Sequence, residues 1–184
     1  GQVVPTRQTQ LALKHELRLP GRHNLANALM AAAAACAAGV RPGLITEALA
    51  GFAGLPHRLE MVARTPQDVA FYNDSIATTP ESAICALHSF AGPITLIAGG
   101  SEKGTPFGKL GRVVARKVRR LILLGLTARK IEQAVREAQA EASVGPEIVH
   151  AASLEEATSV AHARARPGEV ILLSPACASF DMFR

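Results

Sequence analysis

The chain has 184 residues, 48% hydrophobic and 19% charged, which suits one globular domain or one domain plus a piece of another. Six Phe, one Tyr and no Trp leave an aliphatic core, and a formal charge of +5 is compatible with nucleic acid, with phosphate-bearing small substrates, or with neither. Three cysteines in no CxxC pair argue against a disulfide framework or zinc site and fit a reducing, cytoplasmic setting, while the longest apolar stretch, LMAAAAACAAGV, is too short and Ala-rich to span a bilayer.

His23-Asn24 open a predicted helix through NALMAAAAACAA that stops at Gly39, where glycine accepts the positive φ of a helix end. Arg41-Pro42 start a second helix, with proline at its first turn and Leu44, Ile45, Ala48, Leu49 and Phe52 on one apolar face. GLPHR, Gly54 to Arg58, reads as a linker. LEMVAR and VAFYN form a predicted hairpin across Thr65–Asp68. Strands then alternate with helices: ITLIAGG, a helix over FGKLGRVVARK, RRLILLG, a helix over TARKIEQAVREAQAEA with Ile131, Ala134, Val135 and Ala138 inward, EIVHA, a helix begun by a Ser153–Glu156 capping box, and EVILLSPA. This alternation implies an α/β fold with a mostly parallel sheet and helices on both faces. The densest basic run gives Arg112, Arg116 and Arg119/Arg120 as one solvated helical face, with no aromatic residues interleaved for stacking on bases.

In open α/β sheets, ligands bind beyond the carboxyl ends of the strands. Four such ends stand out: NDSIATT (Asn73 to Thr79), GGSEKGT (Gly99 to Thr105), Gly125-Leu-Thr127, and SPACASFD (Ser174 to Asp181). In the first, Thr79 is placed to cap a helix with Pro80 at N1 and Glu81 next. A helix start and the Thr78 hydroxyl suit an anion, whereas Asp74 suits vicinal sugar hydroxyls or a metal. The plainer reading is that Asp74, Ser75 and Thr79 only satisfy turn and cap bonds. In the second, paired glycines permit close backbone approach and Lys103 is a point charge, or the segment is a glycine turn with a solvated lysine. It is not a Walker A loop. Cys177 lacks a nucleophile elbow and reads as a small buried hydrophobe, and the six histidines have no HExxH-like spacing.

GRHNLANALMAAAAA, GLPHRLE, NDSIAT, GGSEKG and LLSPACASFDMF, in this order and spacing, resemble the Mur ligases from about Leu19 to the end. HNxxNA and HR run through that family, and SPACASFDxF with NDSxAT is similar to its D-glutamate-adding branch. The resemblance implies that residues 1–54 are the C-terminal remnant of a central P-loop ATPase domain, and that residues 55–184 are a Rossmann-like amino-acid-binding domain without its last helix. It implies ATP and Mg2+, with the P-loop lysine and metal ligands in a part that this sequence does not contain. The fragment alone is therefore expected to be inactive. It implies UDP-N-acetylmuramoyl-L-alanine, D-glutamate and ATP as substrates, a monomer, no nucleic acid and no membrane. Matched motif by motif, Asn24, Asn27, Arg58 and Asp74 would bind ATP, and Thr78, Lys103, Ser179 and Phe180 the incoming amino acid. One position departs from the family's NDSKATN: Ile76 stands where a lysine is usual. That leaves L-glutamate or another amino acid as an alternative. A non-catalytic nucleotide-binding α/β module and a nucleic-acid-binding domain are rivals, and neither accounts for all five motifs.

Overall fold

The computed structural model describes residues 19–101, 104–143 and 145–178. It divides into two units, Gly1–Gly54 and Leu55–Arg184. The first contains α1 (Arg22–Ala37) and α2 (Pro42–Gly51). Proline opens α2 as expected, and Gly39 after α1 has φ 84°. Of the apolar face expected on α2 only Ile45 is buried; Leu44 and Phe52 remain 47% and 41% exposed.

The second unit is a six-stranded sheet in the order β1-β2-β6-β3-β4-β5. Its strands are β1 (Glu60–Arg64), β2 (Ala70–Asn73), β3 (Ile94–Ala98), β4 (Val118–Leu123), β5 (Glu147–His150) and β6 (Val170–Leu173). β1 and β2 form the expected antiparallel hairpin, closed by bonds from Thr65 N to Val69 O and from Asp68 N to Thr65 O, both 2.9 Å. All other pairings are parallel. The helices are α3 (Pro80–Leu87), α4 (Gly108–Lys117), α5 (Ala128–Ala142) and α6 (Leu154–Ala163). One face of the sheet packs Leu96, Leu121, Leu123 and Leu172 under Leu87, Leu110, Val114, Ile131 and Val135 of α3, α4 and α5. The other packs Ile97, Ile122 and Ile171 under Ala157 and Ala161 of α6. Each buried Leu or Ile stabilises the fold by about 1.5–3 kcal/mol. The sheet is therefore Rossmann-like, with helices on both faces. Ser153 accepts from Glu156 N at 3.2 Å, and the returning Glu156 carboxylate accepts from Ala152 N at 2.7 Å, one residue earlier than a standard capping box.

The basic run departs from expectation. α4 ends at Lys117 and Arg119 and Arg120 stand on β4, as the strand RRLILLG predicts, so they do not join Arg112 and Arg116 on one solvated helical face. Arg120 is only 4% exposed and pairs with Glu147 at 2.9 Å. Arg119 grips the fully buried carboxylate of Glu169 with Nη2, at 2.7 Å to Oε2 and 3.0 Å to Oε1. Thr95 Oγ1 donates to Glu169 Oε1 at 2.5 Å, and Arg166 N donates to Oε2 at 2.9 Å. Burial pushes this carboxyl up, but the bonds from Arg119, Thr95 and Arg166 N more than offset it and hold the group below its ordinary value of 4.5. The cluster closes the amino ends of β3, β4 and β6.

A depressed carboxyl stabilises the fold fully above its unfolded value and loses that contribution as pH falls through its folded value. Arg119→Met strands a buried charge, so it should cost about 3–5 kcal/mol at pH 7. Urea denaturation across pH should show that gap narrowing as pH falls through the carboxylate range and Glu169 takes up its proton. A gap unchanged from pH 7 to pH 3 would contradict this account of Glu169.

Candidate functional site

At the other end of the sheet, the carboxyl ends of β2, β3, β4 and β6 meet. β6 is the last of the described strands but lies between β2 and β3. Its exit loop is therefore flanked by theirs, and five consecutive residues tie into them. Ser174 Oγ donates to Asp74 Oδ2 at 2.9 Å. Pro175 O accepts from Gly99 N at 2.9 Å, and Ala176 N donates to Ala77 O at 2.9 Å. Cys177 Sγ lies 3.2 Å from Thr127 Oγ1. Ala178 O accepts from Ser101 N at 2.7 Å.

Asp74 is 4% exposed. Besides Ser174, its carboxylate accepts from Leu59 N at 3.1 Å, and its own N–H donates to Leu173 O at 2.8 Å. This brings in the GLPHR stretch, which is an anchored loop from Leu55 onward rather than a loose linker. Ile76 N donates to His57 O at 3.3 Å, and Asn73 Nδ2 lies 2.9 Å from His57 Nδ1. His57 and Leu59 both take positive φ, 63° and 46°, to make the turn. Arg58 between them is exposed.

Thr79 caps α3 as its sequence context predicts, its hydroxyl accepting from Ser82 N at 3.3 Å, with Pro80 in the first turn. That leaves Thr78, just outside the helix, exposed and facing no task in the cap. Ile76 is 52% exposed two residues before it. The structure thus brings together Arg58, Asp74 and Thr78 on one loop pair. Lys103, Ser179 and Phe180 lie outside the described residues; their chain neighbours Ser101 and Ala178 are bridged to each other. Asn24 and Asn27 belong to the first unit: Asn24 is buried, donating from Nδ2 to Pro20 O at 2.7 Å, and Asn27 is exposed. Among the described residues no group of three or more His, Cys, Asp or Glu is arranged to hold a metal, and no helix is long and apolar enough to cross a membrane.

Two features of this end escape sequence reading. Thr127 stands at the start of α5, where a threonine is read as a cap, yet its hydroxyl makes no cap bond. Instead it accepts from Gly100 N and donates to Gly100 O, both at 3.0 Å. Ser174 looks like any strand-end serine until Asp74, a hundred residues away, is placed beside it. Cys177 is buried, consistent with a packing role.

The match to known proteins is extensive. The family model "Mur ligase, glutamate ligase domain" matches residues 57–177. A UDP-N-acetylmuramoylalanine–D-glutamate ligase of Symbiobacterium thermophilum is 48% identical over 178 residues, 97% of this chain and 38% of that protein. One of Salinibacter ruber is 46% identical, covering 91% of this chain and 35% of that protein. This chain thus spans little more than a third of the curated relatives it matches. Among solved structures, the UDP-N-acetylmuramate-alanine ligase of Thermotoga maritima superposes with TM-score 0.68 at 19% identity, covering 87% of this chain and 36% of that one. The folylpolyglutamate synthase of the same organism gives 0.56 at 17%, over 87% of this chain and 37% of that one. At such identities these two show the shared fold alone.

Close backbone approach makes Gly99 and Gly100 irreplaceable. A Cβ on Gly99 (φ 120°) would sit 1.9 Å from Leu124 O, and one on Gly100 (φ 152°) 2.3 Å from Ala178 O. Gly104 (φ 69°) has nothing within 4 Å of such a Cβ. Gly100→Ala should therefore cost about 3 kcal/mol or more, and Gly104→Ala about 1 kcal/mol from backbone strain alone. Chemical denaturation of both variants checks the order; equal losses would contradict the close approach.

Proposed function

Because the chain belongs to the Mur ligases through their glutamate ligase domain, we propose that it is part of an ATP-dependent ligase of peptidoglycan synthesis in the cytoplasm. The enzyme joins D-glutamate to UDP-N-acetylmuramoyl-L-alanine. The observation that carries this reading is the convergence of NDSIAT, GGS and SPACA at one end of the sheet, with Thr78 exposed at its rim.

In this reading the γ-phosphoryl group of ATP passes to the alanyl carboxylate, giving an acyl phosphate and ADP. The amine of D-glutamate attacks the acyl carbon. The tetrahedral intermediate then expels phosphate, the amine loses a proton, and an amide bond remains. Little of this requires covalent help from the protein; placing and neutralising the charged reactants is the main task. Thr78, Lys103 and Ser179 hold the glutamate carboxylates, with Phe180 contributing backbone. Arg58 reaches the ATP phosphates, and Asp74 takes the ribose hydroxyls from a carboxylate already fixed by Leu59 N and Ser174. Asn24 and Asn27 lie at the nucleotide's edge, Asn27 near adenine. Mg2+ supplies charge neutralisation at the phosphates and is held by groups other than those described here. Residues 1–54 are the end of the ATP-binding domain and residues 55–184 the amino-acid-binding domain, in a protein that acts as a monomer without nucleic acid or membrane.

Ile76 gives a second reading its foothold. Its half-exposed apolar side chain removes a cation from the rim near Thr78. That suits the same ligase chemistry with L-glutamate or another amino acid.

Phosphate release by the full-length enzyme, given ATP and UDP-N-acetylmuramoyl-L-alanine, decides between these. Turnover is expected with D-glutamate and not with L-glutamate. Thr78→Ala should raise KM for D-glutamate about tenfold or more, the loss of one hydrogen bond to a charged group. Preference for another amino acid would move the assignment to the second reading. A folded protein that binds ATP but shows no amino-acid-dependent turnover would overturn both.

A further inference from the structure

Thr127 is fully buried and its hydroxyl is committed three ways. It donates to Gly100 O, accepts from Gly100 N, and touches Cys177 Sγ at 3.2 Å. Its own N–H also donates to Gly100 O at 3.0 Å. Either atom can be the donor in the contact with Cys177. The position is the start of α5, where a threonine hydroxyl ordinarily satisfies its own helix, a bond worth about 1 kcal/mol. Here that bond is not made. The hydroxyl instead joins the exits of three strands: β4, from which it comes, β3 through Gly100, and β6 through Cys177.

The two partners stand just ahead of the amino-acid contacts assigned above. Gly100 is three residues before Lys103, and Cys177 is two before Ser179. The same stretch is pinned to the Thr78 loop by the bond from Ala176 N to Ala77 O. Together with the backbone bonds from Gly99 N to Pro175 O and from Ser101 N to Ala178 O, a hydroxyl at this point helps fix how far the β3 and β6 exits stand from each other and from Thr78. None of the three touches Arg58 or Asp74 through it. We propose that Thr127 is a positioning residue for the amino-acid substrate: it sets the spacing of the loops that grip the incoming amino acid and leaves the nucleotide contacts untouched. This rests on the ligase reading above.

The test uses the full-length enzyme with Thr127→Val, which keeps the shape and removes the hydroxyl, and Thr127→Ser, which restores it. Wild-type turnover with each amino acid is measured first, so that failure of the ligase reading shows in the wild type alone. In Thr127→Val, KM for the amino acid should rise at least tenfold while KM for ATP stays within twofold, and Thr127→Ser should return the amino-acid KM to within about threefold of wild type. Amide hydrogen exchange at Gly100 should quicken at least tenfold in Thr127→Val, because its N–H has lost its acceptor. An unchanged amino-acid KM, an equal rise in both KM values, or unchanged Gly100 exchange overturns the proposal. If Thr127→Val does not fold, Cys177→Ala removes only the sulfur contact. It should raise the amino-acid KM about threefold with ATP unaffected, and no rise overturns the proposal.

Discussion

Everything at the proposed site depends on five consecutive residues, Ser174 to Ala178, each bonded or in contact with the exit of another strand. This follows from topology. β6 is the last of the described strands in sequence yet lies between β2 and β3, so its exit loop has a neighbour on each side. Small side chains are needed along it because backbone must meet backbone. Gly99 and Gly100 on the facing loop admit that approach, and a Cβ on either would overlap a carbonyl oxygen. The loop's own Ala176 takes φ 60°, a strained choice for a residue with a Cβ, and is held there by its bond to Ala77. Strain of this kind persists where the surroundings over-determine it, which the five contacts do.

The two ends of the sheet solve different problems. At the amino ends, Glu169 and Arg119 form a buried pair with every carboxylate oxygen occupied, and the result is closed. At the carboxyl ends, the polar groups next to the chain's exits are short, and their bonds fix loops while Thr78 and Arg58 stay exposed at the rim. A closed charge cluster holds the fold; an open rim of small polar groups can receive a charged ligand. The division matches where α/β sheets bind ligands in general.

Much of this was legible in the sequence. The alternation of apolar runs with capped helices gave the parallel sheet, and Thr65–Asp68 gave the hairpin. Thr79 and Pro80 gave the start of α3. The four polar strand ends were identifiable because strands end abruptly there in glycine, serine and threonine. What was not legible depends on contacts distant in sequence. Arg119 and Arg120, though they open the predicted strand RRLILLG, read as part of a solvated basic face because their partners, Glu169 and Glu147, lie fifty and twenty-seven residues on. Thr127 read only as the first residue of a helix and part of a polar strand end, because local pattern cannot show a hydroxyl turning toward Gly100. GLPHR read as a linker because Asn73 and Ile76, the partners that hold its His57, are supplied by the exit of another strand.

The central claim is that the rim of this seam holds the amino acid. The most direct measurement is a crystal structure of the full-length enzyme with D-glutamate bound. The account predicts a glutamate carboxylate within about 3 Å of Thr78 Oγ1, beside the exit of β6. An amino acid bound elsewhere, with the Ser174–Ala178 seam bare and Thr78 facing only solvent, would contradict it.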